Sequence, residues 1–361
     1  MEGSLKAIFD LPSLWGDKRG ASTTIFGANW RKDLLTATSG NIDQSVYVLA
    51  GYAQHEQRFN VGTGSVTATL GARYNYHETF GSHFTPKATL MYSLGPVNLR
   101  ATYSAGFRAP GLDELYYHYF SVNRGKAQVS FGNRDLSPEK SHYVSLNAEY
   151  RTNVLAISLT GYLNRINDMV VKQNIPVDDP TRRMLMTEFP EMTQDQADKM
   201  VSYARYQNSD KGNVKGVQLN VSANIMRGFN LSANYAYTYA QTKSDEEWAP
   251  IDRSIRHAAT IAANYHHSWG KTYSLNVNLN ARLQSKTYYT APYEDAPGFG
   301  LWNLHTTHTF NLQSSIFNLI EPSIGIDNIF DRVDRRIDSS TRKYALYSPG
   351  RMLKVGMKVK F

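Results

Sequence analysis

The strict alternation of apolar and polar residues over long stretches is the feature that most constrains the fold of this chain. In the last ten residues, apolar side chains stand at every second position: Leu353, Val355, Met357, Val359 and Phe361. The residues between them are lysines and one glycine. Because the side chains of a strand point alternately to opposite faces, this segment predicts a strand with one apolar and one charged face.

The same alternation recurs upstream, in segments that begin near Val66, Phe229 and Tyr273 and run for about ten residues each. Soluble strands usually run about 5–6 residues, whereas a strand tilted across a bilayer needs about 9–11. Short links such as Gly95–Pro96 alternate with long ones such as Asn167–Asn213, as expected for periplasmic turns and extracellular loops. The sequence therefore predicts an all-β protein, a transmembrane antiparallel up-and-down β-barrel with roughly 14 or 15 strands.

Composition removes several other classes of protein. The 361 residues include no Cys, which excludes disulfides and thiolate metal sites. The net charge of +8 suits an anionic partner, but no nucleic-acid recognition motif accompanies it, so nucleic acid is not an expected partner. No G-x-S-x-G or H-E-x-x-H motif and no convincing Asp–His pairing occurs, so no enzymatic activity is expected.

Two local patterns give narrower predictions. Thr193 and Gln196 have the spacing of a capping box, which predicts a short helix within the long link 167–213. His305 and His308 are three residues apart on a predicted strand, so their side chains face opposite sides and do not share a metal ion.

Two stretches, Ser104–Tyr117 (SAGFRAPGLDELYY) and Gly132–Ser141 (GNRDLSPEKS), resemble the C-terminal barrel of TonB-dependent outer-membrane receptors. The resemblance continues through Asn213–Gln218 (NVKGVQ) and Asp327–Asp331 (DNIFD) to the terminal GRMLKVGMKVKF, so it covers essentially the whole chain. It implies an integral protein of the Gram-negative outer membrane that supplies the last 14 or 15 strands of a barrel of about 22. The family's N-terminal plug and TonB box are missing here, which suggests a piece of a longer protein or a smaller closed barrel.

The resemblance also implies a function. Such receptors take up their ligand actively and make or break no bond, with energy from the TonB–ExbB–ExbD system acting through the plug. Outer-membrane lipid and the barrel assembly machinery are the other partners that it implies, and the terminal Phe361 would be the assembly signal.

Two sequence boxes of the family mark the expected ligand site. Phe107, Arg108, Ala109 and Pro110 resemble the FRAP box. The second box is formed by Asn133, Arg134, Asp135 and Leu136, with Arg134 where Pro would be usual.

In haem-receptor relatives, a His between these boxes is an axial iron ligand, and His118 is the His in that interval here. Neighbouring aromatic residues would stack on the porphyrin, and a basic residue would meet the propionates. These candidates are Tyr116, Tyr117, Tyr119, Arg124 and Lys126. Haem, as transported ligand and not as cofactor, is thus the first expectation.

Several alternatives remain open at this point. Paired boxes of this type also occur in siderophore, cobalamin and colicin receptors, so a ferric siderophore or cobalamin is an alternative ligand. A passive porin-like barrel is the alternative function. Arg108 has an alternative role as well, since it could pair with Asp113 or Glu114 and hold the loop.

Overall fold

The computed structural model describes residues 2–12, 21–37, 42–123, 125–244, 246–290, 293–312, 317–334 and 349–361. These residues form strands connected by turns, together with three short helices. The strands are β1 (Glu2–Pro12), β2 (Ala21–Ala37), β3 (Ile42–Val61), β4 (Gly64–His77), β5 (Gly81–Leu94), β6 (Val97–Arg108), β7 (His118–Asn123), β8 (Lys126–Phe131), β9 (Glu139–Arg151), β10 (Leu155–Pro176), β11 (Ser202–Met226), β12 (Phe229–Ser244), β13 (Glu247–Pro250), β14 (His257–Trp269), β15 (Tyr273–Gln284), β16 (Phe299–Asn311), β17 (Leu319–Asp327) and β18 (Met352–Lys360). The helices are α1 (Leu112–Tyr116), α2 (Asp179–Glu188) and α3 (Gln194–Asp198).

All strands except β7, β8 and β13 form one antiparallel meander in chain order. The hairpin of β7 and β8 is inserted between β6 and β9, which pair directly with each other. Among the described residues no ladder joins β1 to β18, so these two strands are the edges of the curved sheet, which we call the wall. The meander of 15 strands confirms the predicted number.

The apolar rows lie on the exposed face of this wall. On β18, Leu353 is 67% and Val355 78% exposed, and on β4, Leu70 is 66% exposed. On the opposite face of β4, Thr67 and Thr69 are buried. A water-soluble sandwich would bury the apolar rows between its sheets, so we assign the exposed apolar face to lipid and call it the outer face.

Short turns close one end of the wall, as the sequence predicts. The turns contain Gly62, Gly95, Gly228 and Gly270, each with a positive φ between 53° and 83°. Residues with a side chain rarely adopt that conformation, whereas glycine does so without a steric cost. This end is therefore the periplasmic end in a receptor-like barrel, and the opposite end is extracellular.

The strands extend further at the extracellular end than the sequence predicts. β10 has 22 residues and β11 has 25, and their ladder continues to the pair Pro176 and Ser202. The predicted long link 167–213 is thus wrong at both of its ends, where the structure has strand. Beyond the bilayer both faces of a strand meet water, so the alternation that reveals a strand within the membrane is absent there.

A small apolar unit lies above this end, and we call it the loop cap (residues 118–123, 125–131 and 177–203). The β7–β8 hairpin packs against α2 and α3 around a cluster of buried side chains: Val129, Leu185, Phe189, Met192, Ala197 and Met200. A short parallel ladder joins β8 to β11 at the pairs Ser130–Ala204 and Phe131–Arg205. The cap is therefore fixed to the wall by both hydrogen bonds and apolar contacts.

Both helices of the loop cap begin at capped N-termini. The predicted capping box is present, because Gln196 N donates to Thr193 Oγ1 at 3.3 Å and Thr193 N donates to Gln196 Oε1 at 3.0 Å. Helix α2 was not predicted, although Asp178 caps it by accepting from Thr181 N at 2.8 Å. No helix among the described residues is long and apolar enough to span a bilayer.

Candidate functional site

An arginine clamp organises the extracellular end of β6. Arg108 donates to Glu139 through Nε at 2.8 Å and through Nη2 at 2.7 Å, and to Glu114 through Nη1 at 2.8 Å. Glu139 Oε1 also accepts from the backbone N of Val170 at 2.7 Å. The clamp joins α1, β9 and β10, so Arg108 holds the loop as one sequence interpretation proposed, with Glu139 in place of Asp113 as its second partner.

Several other residues of the two boxes are buried or packed against neighbouring segments. Phe107 stacks on His83 with ring centroids 3.7 Å apart, and Pro110 is buried. Ala109 is half-buried between them. Leu136 is 3% exposed and packs in a cluster with Leu115. These contacts fix the course of the chain into and out of the β7–β8 hairpin.

A cavity of about 470 Å³ opens beside the loop cap, at the junction of α1 and β7. Residues predicted from the sequence that line it are Tyr116, Tyr117, His118, Asn133, Arg134 and Asp135. Residues that sequence reasoning missed are Ile42, Gln44, Glu188 and Arg205. They come from β3, α2 and β11, far from the two boxes in sequence, and no local motif marks them.

His118 is already engaged within this cavity. Its Nε2 lies 3.0 Å from Glu188 Oε1, and its ring centroid lies 4.6 Å from that of Phe189 and 5.5 Å from that of Phe131. Its side chain is 25% exposed. An incoming metal would therefore compete with Glu188 for this nitrogen.

One cation of the cavity lies beside an aromatic ring. The guanidinium of Arg134 stands 5.1 Å from the ring centroid of Tyr116. The backbone comes close at Gly132, whose N donates to Tyr117 O at 2.6 Å, and a side chain at position 132 would overlap the backbone of α1. The cavity thus combines the guanidinium groups of Arg134 and Arg205 and the carboxylates of Asp135 and Glu188 with phenol hydroxyls and flat rings.

Comparison with known proteins decides the family. Residues 2–329 match the family of TonB-dependent receptor-like β-barrels. The chain belongs to this family. The protein is accordingly an integral β-barrel of the outer membrane, in a family of receptors and not of enzymes.

Individual relatives agree with this assignment. The iron-regulated outer membrane virulence protein of Vibrio cholerae serotype O1 is 27% identical over 268 residues, which are 71% of this chain and 38% of the relative. A mutant of the ferric enterobactin receptor of Pseudomonas aeruginosa, solved with enterobactin, superimposes with a TM-score of 0.68 at 18% identity. The siderophore receptor PirA of Pseudomonas aeruginosa has a TM-score of 0.65 at 18% identity.

The receptor barrel covers only part of these relatives. The match includes 99% of this chain in both comparisons. It includes 54% of the ferric enterobactin receptor and 56% of PirA. The chain thus spans about half the length of the solved receptors that it matches.

Some predicted residues of the receptor barrel lie away from the cavity. Lys126 pairs with Asn123 at the turn of the β7–β8 hairpin, whereas His118 pairs with Phe131 at its other end. Tyr119 stacks on Tyr117 with centroids 5.4 Å apart. Arg124 lies outside the described residues.

The two remaining sequence predictions concern β16 and the C terminus. His305 Nε2 contacts Asp327 Oδ1 at 2.7 Å, whereas Tyr273 OH contacts His308 Nδ1 at 2.8 Å on the other face, which confirms their opposite orientation. No group of metal-ligating side chains suitable for an ion occurs in the described part of the receptor barrel. Phe361 is 81% exposed, and its role as an assembly signal stays a prediction.

Besides Arg134 and Arg205, the cation of Lys172 lies near the extracellular end of the barrel, on the lumen-facing side. Lys172 Nζ lies 5.5 Å from the ring centroid of Tyr206, on the extension of β10 and β11 beyond the bilayer. Burial lowers the pKa of Lys172, and the nearby Arg253 lowers it further. Burial also raises the pKa of Tyr206, with a further contribution from Asp113. Both directions follow from partial removal of the charged forms from water.

Proposed function

We propose that this chain is the barrel portion of a receptor that binds a ferric siderophore at the cavity beside the loop cap and imports it. The observation that carries the proposal is the convergence of Arg134 and Arg205 with Tyr116 and Tyr117 at one extracellular cavity. Ferric siderophores present anionic oxygens, and many carry flat aromatic groups. Guanidinium groups bind such oxygens, and tyrosine rings stack on such groups.

The names of the relatives support the same ligand class. Two of the similar structures are a ferric enterobactin receptor and a siderophore receptor, and the Vibrio relative is iron-regulated. Uptake of a bound complex through a plugged barrel needs an energy source, for which we propose the TonB–ExbB–ExbD system. No bond of the ligand would be made or broken by the barrel.

Haem is the second candidate, and His118 is the observation that favours it. The imidazole stands in the cavity among aromatic rings, as a haem ligand would. Ligation through Nε2 requires that the contact with Glu188 Oε1 be given up, which makes haem the less favoured ligand. A passive porin-like barrel is less favoured still, because an organised cap with a ligand-sized cavity has no role in it.

The test is equilibrium binding of ferric enterobactin and of haemin to the full-length receptor, in its unmodified form and as Arg134→Gln and Arg205→Gln. Loss of one charged hydrogen-bond donor should weaken binding of the ferric siderophore about tenfold or more. Lys126→Gln is the matched control, since it removes a cation from the same hairpin outside the cavity. Equal siderophore affinity in all four proteins would contradict the assigned site.

Haem has a separate readout. A Soret shift on titration with haemin, lost in His118→Ala, would establish haem as the ligand and His118 as its iron ligand. A full-length receptor that binds neither ligand in either assay would contradict the proposal of an iron-complex receptor.

A further inference from the structure

The turn between β4 and β5, which we call the rim turn (residues 77–81), contacts the lining of the cavity through Phe80. The ring of Phe80 packs against the buried cluster that contains Leu115 and Leu136. Leu115 belongs to α1 and also lines the cavity. Tyr116, the next residue of α1, packs against the same cluster and lines the cavity as well. The rim turn is therefore part of the packing that fixes the position of α1.

Two histidines hold Phe80 in this position. The ring centroid of His77 lies 5.0 Å from that of Phe80. His83 Nε2 donates to Phe80 O at 3.0 Å, and the His83 ring stacks on Phe107. Phe107 directly precedes Arg108, whose clamp also holds α1. The rim turn thus contacts α1 on one side and the first sequence box on the other.

His77 fits this arrangement only as the neutral imidazole. Thr79 N donates to His77 Nδ1 at 3.2 Å. A neutral imidazole whose Nδ1 accepts a hydrogen bond carries its hydrogen on Nε2, so a second proton must go to Nδ1. That proton would remove the acceptor for Thr79 N and would place a charge on a side chain that is 4% exposed. Protonation of His77 therefore opposes the observed conformation of the rim turn in two ways.

The groups around His77 favour the same neutral form. His77 is the last of the 14 residues of β4, so it lies beyond the membrane-spanning part of the strand. Burial is the largest effect on the pKa of His77 and lowers it. Arg31 on β2 and His83 on β5 lower this pKa further. Asp33 on β2 and Glu78 in the turn raise it, but Asp33 is also paired with Arg31 at 2.9 Å. The net direction is a pKa below the ordinary value of 6.5.

We propose that the rim turn positions α1 for ligand binding and that protonation of His77 releases it. The link to the ligand rests on the proposed function, because Leu115 and Tyr116 line the cavity assigned to the siderophore. The observed conformation should be fully stable above pH 6.5 and be lost as the pH falls through the lower folded-state pKa. Affinity for the ferric siderophore should fall over the same range.

The first measurement needs no ligand. It follows hydrogen exchange of the Leu115 and Tyr117 amides, which donate within α1, in the full-length receptor. After correction for the intrinsic exchange rate, protection in the unmodified protein should decrease about fivefold or more between about pH 7.5 and about pH 5.0. His77→Asn keeps an acceptor for Thr79 N but does not titrate, so its protection should not change with pH. Phe80→Ala should lower protection at both pH values alike.

His142→Asn is the matched control. His142 is an exposed histidine at the same end of the barrel, and its Nδ1 contacts Tyr103 OH at 2.9 Å. Protection of α1 in this variant should decrease in acid as it does in the unmodified protein. An equal acid response in His77→Asn, or unchanged protection of α1 in Phe80→Ala, would overturn the proposal.

The second measurement connects the rim turn to the ligand. The Kd of ferric enterobactin is determined at both pH values for the unmodified receptor and for His77→Asn. The ratio of the two Kd values should change about fivefold in favour of His77→Asn at the lower pH. Titration of the ligand and of His118 occurs in both proteins and cancels in this ratio.

Two outcomes of the second measurement have different meanings. A ratio that does not change with pH would overturn the effect of the rim turn on binding. Absence of ferric-enterobactin binding to the unmodified receptor at the higher pH would contradict the proposed function instead. The exchange of the α1 amides would then decide by itself whether His77 controls the position of α1.

Discussion

Arg108 and Glu139 stand directly opposite each other in the β6–β9 ladder and are joined by two parallel hydrogen bonds of 2.7 and 2.8 Å. The Glu139 side chain is 14% exposed, whereas that of Arg108 is 44% exposed. The pair is therefore partly shielded from water, and a single substitution would leave a half-buried carboxylate without its cation. Loss of Arg108 should consequently disturb the rim of the barrel and not its transmembrane part.

We expect Arg108→Gln to lower the free energy of local opening at α1 by about 1–2 kcal/mol, a value reduced for the exposure of the arginine. Hydrogen exchange of the amides of Leu115, Tyr117 and Val170 should accelerate accordingly. Arg100→Gln is the control, because Arg100 stands near the periplasmic turn and donates to Met91 Sδ. Unchanged exchange at all three amides would show that the clamp contributes nothing to the rim.

The loop cap should depend on Phe189. This side chain is 2% exposed and contacts His118, Phe120 and Phe131 through its ring. Phe189→Ala would leave a cavity in the apolar cluster, with a cost of about 3–5 kcal/mol to the cap. Limited proteolysis should then cleave between residues 177 and 203 while the barrel stays intact.

Met184→Ala is the matched substitution for the Phe189 experiment, since Met184 lies on α2, the helix that Phe189 directly follows, and is 43% exposed. It should change cap stability by less than about 0.5 kcal/mol. Equal protease resistance of both variants would mean that the cluster does not hold the cap.

The first turn of α2 should loosen in acid. The hydrogen bonds from Thr181 hold the pKa of Asp178 below its ordinary value of 3.8. Because the folded-state pKa is the lower one, the stabilisation is present above pH 3.8 and is lost as the pH falls through the folded value. Protection of the Thr181 amide against exchange should decrease in this range.

Asp178→Asn provides the control for that pH dependence. Asparagine also caps helices but does not titrate, so protection in this variant should not depend on pH through an N-cap group. An identical acid response in both proteins would assign the effect to another carboxylate.

The lumen-facing side of the last strands offers a test of close packing. A Cβ at position 325 would overlap the ring of His305, which reaches across Gly325 to contact Asp327. Lys354 Nζ pairs with the other oxygen of Asp327. We expect Gly325→Ala to break this arrangement and to destabilise the barrel by about 1–3 kcal/mol.

The unfolding midpoint in urea, followed by tryptophan fluorescence in detergent, would measure this loss. Gly161→Ala is the control, since a Cβ at position 161 meets no atom within 4 Å. Midpoints that shift equally in both variants would show that the overlap is relieved at no cost.

The transmembrane part of the fold was predictable because lipid and water impose a period of two. The exposed rows of Leu70 and Leu353 and the opposite faces of His305 and His308 follow from that period. The capping box at Thr193 was predictable for a different reason, since its two hydrogen bonds are local in sequence.

The candidate site was only half predictable. The boxes marked Tyr116, His118 and Arg134, but Glu188 and Arg205 reach the same cavity from segments 50 or more residues away. Their positions depend on the packing of the loop cap and on the extension of β10 and β11, neither of which leaves a periodic trace outside the bilayer. Glu139 was missed as the partner of Arg108 for the same reason, because strand pairing and not proximity in sequence brings it there.

The wall and the loop cap should tolerate insertions and deletions differently. Inserting or deleting one residue within a membrane-crossing strand would move each following side chain of that strand from the lipid face to the lumen face, or the reverse. Only changes of two residues preserve the two faces of such a strand. The loop cap is held by a compact apolar cluster and one short parallel ladder, so the number of residues in its segments is not restricted to steps of two. We therefore expect changes in length that alter ligand specificity to occur mainly in the loop cap, while the membrane-crossing strands keep their length.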